Sequence, residues 1–198
     1  MSVLTDERVR LRRSDNKNMD VVLTAQRDDE IFDVVDDRDE VTGQATRGEV
    51  HRQKLRHRSV HALAFGSDGR VFLQKRSMLK DSSPGRWDAS CSGHLNSGED
   101  YGDAVVRELM EEIGLGVSPE SELRPLFKLE ACTKTGWEFV WVYRLKSDGP
   151  FVLHPAEIER GEWFWPEEIT RGMAERPREF TGPFKYLWPR VLETGRNL

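Results

Sequence analysis

Cysteine is nearly absent: Cys91 and Cys132 are the only two in 198 residues, and they form neither a CxxC pair nor a disulfide framework. That excludes a disulfide-stapled scaffold and makes a reducing, cytoplasmic setting the expectation. No run of about 18 apolar residues occurs, so no membrane-spanning helix and no membrane partner are expected. An apolar stretch of the secretory type is also missing from the charged N-terminal 30 residues. Positive charge is not in excess: Lys plus Arg is 30 against 35 for Asp plus Glu, a formal net charge of −5. A chain with that balance lacks the basic footprint that phosphate backbones require, so no nucleic-acid partner is expected. What is present is 37% hydrophobic and 33% charged residues, enough core for one domain under a heavily charged surface.

Residues 1–28 read as a polar extension carrying Arg8, Arg10, Arg12 and Arg13, with an apolar patch at Val21, Val22 and Leu23. Residues 29–198 read as a single domain. Strands are expected from Glu30 to Asp36 and, after a turn at Asp37 to Glu40, from Val41 to Thr46. A hairpin joins Val60–Phe65 to Val71–Gln74 through Gly66-Ser-Asp-Gly69. Asp81 to Gly85 is a loop, and residues 101–113 form a helix. Further strands are expected at Leu126–Ala131, Phe139–Leu145, Phe151–Leu153 and Glu162–Trp165. Pro166 opens a helix, and a last helix from Pro183 to Leu192 is expected to break at Pro189. The fold class that follows is a mixed α/β domain with helices packed on a sheet.

The helix at 101–113 carries the chemistry. Val105, Val106, Leu109 and Ile113 recur at three, four and seven residues and make one apolar face. Glu108, Glu111 and Glu112 lie three and four apart and gather on the other side. Like charges at that spacing each cost a helix roughly 0.2–0.5 kcal/mol, and a purely solvated face gains nothing from them. Clustered carboxylates are the oxygen donors that a hard divalent cation takes. Gly114 is placed to end the helix in a left-handed conformation, and Ser97 and Asp100 have the spacing of a capping box at its start. A bare ExxEE is most often a solvated face, but the pattern is wider. It runs Gly-x5-Glu-x7-Arg-Glu-aliphatic-x-Glu-Glu-x-Gly-aliphatic and is met by Gly93, Glu99, Arg107, Glu108, Leu109, Glu111, Glu112, Gly114 and Leu115.

This pattern resembles the Nudix box of the Nudix hydrolase superfamily. The resemblance implies a Nudix fold, a mixed sheet sandwiched between helices. It also implies hydrolysis of a small-molecule diphosphate with Mg²⁺ or Mn²⁺, and dimers are frequent in the superfamily. Carried over by position, Glu108, Glu111 and Glu112 hold metal, Glu99 supports them, and the Gly93 carbonyl adds a ligand. Arg107 positions Glu108 or Glu111 by an ion pair, and one carboxylate, from the box or a later loop, orients or deprotonates water.

A second resemblance spans roughly residues 31–190. Asp33-Val-Val-Asp36, Val41-Thr-Gly43, Leu73-Gln-Lys-Arg76, Lys80, Pro84-Gly-Arg-Trp87 and Ser92-Gly-His94 are similar to the branch that contains isopentenyl-diphosphate isomerase. It implies that Arg76 and Lys80 bind the substrate diphosphate. The isomerase chemistry carries over poorly. Its catalytic Cys position is Ser92, with Cys91 one residue early, and its Tyr falls near Leu129. Of its two later Glu residues, which fall near Gly136 and Glu138, only the second is kept. His57 and His94 match two of its metal histidines, with His51 offset by one, while the box Glu108 and Glu111 that isomerases lack are both present. Hydrolysis is therefore the expected chemistry, with isomerisation or a ligand-binding sensor as alternatives. Cys91 is read as a small buried hydrophobe. Glu157, Glu159 and Glu162 are read as surface charge, although a late-loop carboxylate can supply the base in this family. Trp87 and Trp137 are the pocket candidates among the tryptophans.

Overall fold

The computed structural model describes residues 25–117 and 123–195, together with the backbone of 9–13 and 19–23. Val9–Arg13 (β1) and Met19–Leu23 (β2) pair antiparallel within the expected extension. The side chains of Arg8, Arg10, Arg12, Arg13 and Val21 to Leu23 lie outside the described residues.

Ile31–Val35 (β3) and Val41–Thr46 (β4) form a separate antiparallel hairpin. It leads straight into Arg47–Gln53 (α1), where the Thr46 side chain and the Glu49 carboxylate cap each other's backbone N–H groups. The main sheet contains His57–Phe65 (β5), Val71–Arg76 (β6), Trp87–Asp88 (β7) and Cys91–His94 (β8). It is completed by Arg124–Leu129 (β9), Glu138–Lys146 (β10) and Ile158–Phe164 (β11). Its order is β11-β6-β5-β10-β9, with β7 on β6 and β8 on β5. Only β10 and β5 run parallel, so the sheet is mixed, as expected.

Three helices cover it. Tyr101–Ile113 (α2) has the bounds that its periodicity predicts, and Gly114 closes it at φ +65°. Ala104, Val105, Leu109 and Ile113 pack on Val60, Ala62, Ala64 and Tyr143 on one face of the sheet. On the opposite face Ile169 of Pro166–Glu175 (α3) and Phe184, Leu187 and Trp188 of Gly182–Gly195 (α4) pack on Leu63, Leu73 and Val142. The domain is therefore a mixed sheet between two helical layers. Among the described residues no helix is long and apolar enough to cross a membrane.

The structure corrects several expectations. Val106 is 38% exposed and does not belong to the apolar face. Asp100 alone caps α2, accepting from the Asp103 N–H at 2.9 Å, while Ser97 bonds elsewhere. Phe151–Leu153 is not a strand: the Val152 and His154 N–H groups donate to the Ile113 and Glu112 carbonyls at the end of α2. Pro189 does not break α4. A proline inside a helix costs about 3 kcal/mol. Here it sits on the exposed side while Phe184, Leu187, Trp188 and Val191 are buried, and the Trp188 indole N–H donates to Thr170 Oγ1 at 3.0 Å.

Candidate active site

β8 lies between two polar clusters, because successive side chains of a strand point to opposite faces. Cys91 and Gly93 face α2, whereas Ser92 and His94 pair with His61 and Ser59 of β5 and face away.

On the α2 side Arg107 holds the carboxylates together. Its guanidinium donates twice to Glu99, both at 2.7 Å, and also to Glu108 at 2.7 Å, Glu111 at 3.4 Å and the His94 carbonyl at 3.0 Å. This matches the ion pair expected for Arg107 and extends it to Glu99. The Asn96 N–H in turn donates to Glu99 at 2.9 Å. Glu111 is exposed, but Glu108 and Glu112 are buried, at 7% and 2% exposure, and do not form the open face that helical spacing implies. The reason is long-range: β8 and β6 close over that flank of the helix. Glu112 accepts from the Ser92 N–H at 3.0 Å and from the Gln74 side-chain amide at 3.1 Å. Glu108 occupies the space above Gly93, where an added Cβ would fall on its carboxylate.

Burial pushes the Glu108 carboxyl up to about 8, with Arg107 pulling against it and Glu112 adding to it. Burial also raises Glu112, opposed by the field of Lys80 and reinforced by that of Glu157. Two buried carboxylates that resist ionising beside each other are a donor set short of positive charge. Their all-oxygen chemistry, with the room left by Gly93, fits a hard divalent cation. Cys91 is a buried neighbour whose thiol is raised well above its ordinary value by burial and then by Glu112 and Glu108, so it is inert packing, as expected.

Arg76 and Lys80 come to the same place. Both are 9% exposed and neither is a loose surface charge. Arg76 donates to Asp88 at 3.3 Å and to the Ser82 carbonyl at 3.0 Å, and Lys80 is paired with Glu157. The fields of both reach Glu112. Glu157 is the second correction within the site: it is 3% exposed, whereas Glu159 and Glu162 pair with Arg160 at the surface. Trp87 is a core residue, 8% exposed and packed on Phe164 at 5.0 Å, while Trp137 is half-buried at φ +70°.

The cluster on the other side of β8 was only partly legible, since it assembles histidines from three elements. One ligand atom each of His51 (α1), His57 (β5) and His94 (β8) lie within 4.8 Å of one another. Glu138 of β10 stands 3.4 Å from His94 Nε2 and 3.8 Å from His57 Nε2. His57 Nδ1 lies 2.9 Å from the Leu55 carbonyl and so donates there, and among the described residues its buried Nε2 has no hydrogen-bond partner. Burial lowers His94 to about 4 and also lowers His51. Glu138 is held well below the usual carboxylate range: burial opposes ionisation, but His94 and His57 outweigh it. Three imidazoles beside a carboxylate form a nitrogen-rich set suited to a transition metal or zinc. Phe32 closes one side, its ring 4.9 Å from that of His94.

A sequence model of the NUDIX domain matches residues 55–182. The chain is 36% identical over 143 residues to a Nudix hydrolase of Yersinia pestis, covering 71% of this chain and 76% of that one. It is 36% identical over 146 residues to a Nudix hydrolase of Deinococcus radiodurans, covering 74% and 85%. The crystal structure of DR0079 from Deinococcus radiodurans superposes with a TM-score of 0.73 at 33% identity, over 81% of this chain and 98% of that one. The NUDIX domain of Shewanella oneidensis NrtR, solved with ADP-ribose, shares the fold at a TM-score of 0.53 and 17% identity, over 77% of this chain and 98% of that one.

Proposed function

The chain belongs to the Nudix hydrolases, enzymes that act on pyrophosphate-containing compounds, and on that premise we propose a metal-dependent cleavage of a nucleoside diphosphate derivative or a related organic diphosphate. The observation that carries this reading is the convergence of Glu108, Glu112, Arg76, Lys80 and Glu157 around one buried corner of the sheet. Glu108, Glu111 and Glu112 would hold Mg²⁺ or Mn²⁺, with Glu99 in support and the Gly93 carbonyl as a further donor. The bound cation supplies charge neutralisation for the diphosphate oxygens and a more acidic water.

The protein's own groups do the rest. Arg76 and Lys80 bind diphosphate oxygens, and Lys80 exchanges its contact with Glu157 for one with phosphate. Glu157, released from Lys80, accepts the proton of the attacking water from its place beside Glu112. Arg107 keeps Glu108 and Glu111 on one side of the helix and is fully engaged by carboxylates and a carbonyl, so it positions and does not touch substrate. The net charge of −5 favours a small-molecule substrate over a nucleic acid, and two unpaired cysteines suit a reducing, cytoplasmic setting.

A second reading is supported by one observation, the histidine cluster with Glu138, which resembles the metal site of isopentenyl-diphosphate isomerase. Ser92 stands against it: a hydroxyl is a far weaker acid than the thiol needed there. A non-catalytic sensor has no use for the full carboxylate set. The test is a panel of nucleoside di- and triphosphates, nucleotide sugars, ADP-ribose and prenyl diphosphates with Mg²⁺, followed by phosphorus NMR. Cleavage of a phosphoanhydride bond in a nucleoside diphosphate derivative is the expected result. Conversion of isopentenyl diphosphate to its allylic isomer without phosphate release contradicts it, and so does binding of a panel member with no product.

A further inference from the structure

The family match begins at residue 55, yet the loop bearing Glu99 is held from ahead of it. Asp33 of β3 is 8% exposed. Its carboxylate accepts from Ser97 Oγ at 2.7 Å and from the Gly98 N–H at 2.9 Å. Gly98 sits at φ +79°, a conformation that turns its amide toward β3 and that side-chain-bearing residues rarely adopt. The Ser97 N–H donates to the Ile31 carbonyl at 3.0 Å, and Gln44 of β4 reaches Ser97 Oγ from the other strand. The next residue is Glu99, which grips Arg107, which grips Glu108 and Glu111.

The far end of the same hairpin is anchored independently. Asp39, in its turn, accepts from Arg58 at 2.7 Å, from the Tyr101 hydroxyl at 2.8 Å and from Lys128. Tyr101 is the first residue of α2, so the hairpin is tied both to the loop before the helix and to the helix itself. A charge-assisted pair of hydrogen bonds to a two-residue segment fixes its backbone more tightly than neutral bonds do.

We propose that Asp33 is a positioning residue for the metal-holding carboxylates: it sets the 96–98 loop, and through Glu99 and Arg107 the place of Glu108. The hairpin ahead of the matched family region is then a working part of the active site. This rests on the reading that Glu108 and Glu112 hold the cation. Asp33 touches neither substrate nor metal, so its loss shows first in cation affinity. Partners of this kind typically change metal affinity or activity by about 10–100-fold.

The experiment is a Mg²⁺ titration of the purified chain followed by thermal shift, with hydrolysis measured in parallel. Mg²⁺ is chosen because it takes oxygen ligands and leaves the histidine cluster aside. Wild type is expected to gain Tm with Mg²⁺, and Glu112→Gln to lose that gain. Asp33→Asn is expected to raise the Mg²⁺ concentration at half-maximal shift about tenfold, and Ser97→Ala about threefold. KM at saturating Mg²⁺ should stay within about twofold of wild type, since neither residue meets the substrate. If Glu112→Gln abolishes the shift while folded Asp33→Asn and Ser97→Ala titrate like wild type, the role of Asp33 is overturned and the metal reading stands. If Glu112→Gln keeps the full shift, the metal reading fails and the role of Asp33 with it. Should Asp33→Asn not fold, Ser97→Ala decides alone.

Discussion

Glu112→Gln is expected to lower kcat/KM by about a thousandfold, the several kcal/mol that a positioned cation contributes to a phosphoryl transition state. Glutamine keeps the shape of the side chain and an oxygen to accept from Ser92 and Gln74, but it offers no charge. The fold should not suffer. Glu112 is raised in the folded protein, chiefly by burial. A carboxyl raised on folding weakens the fold above its unfolded value near pH 4, because the folded state must then either bind a proton or bury a charge. The amide removes that cost, so calorimetry without metal should give a Tm equal to or above wild type at pH 7. Full activity in this variant would contradict the metal assignment.

Gly93→Ala should cost at least about a hundredfold in kcat, the scale of a misplacement of about 1 Å in a catalytic group. The new methyl group falls on the carboxylate of Glu108, not on backbone. A flexible side chain can swing away, so the chain folds, but the swing takes Glu108 from Arg107 and from its neighbour Glu112. Activity lost with an unchanged circular-dichroism melt is the expected pair of results. Wild-type kcat would show that the place of Glu108 is not critical.

Local chemistry was legible in the sequence wherever it decides the structure. Periodicity and Gly114 set the bounds of α2, and alternation with turn residues set β3, β4 and the β5–β6 hairpin. Long-range pairing was not legible. Phe151–Leu153 has strand composition, but the Val152 amide is taken by the end of α2. Ser97 has capping-box spacing, but Asp33 claims its hydroxyl. Helical spacing placed the three carboxylates together and could not show that β8 and β6 bury two of them. The histidine cluster has no spacing signature, since its members come from α1, β5 and β8. Only resemblance pointed to it, and only in part. Glu157 read as surface charge because its partner Lys80 lies 77 residues away.

Glu108, Glu111 and Glu112 are proposed to gather a divalent cation against a diphosphate. Crystals soaked in Mn²⁺ with a non-hydrolysable diphosphate analogue, measured for anomalous scattering, test it directly. Metal at Glu108, Glu111 and Glu112 beside the analogue is the expected result, with Arg76 and Lys80 turned onto the analogue's oxygens. Empty carboxylates, with metal bound at His51, His57 and His94 alone, would contradict it.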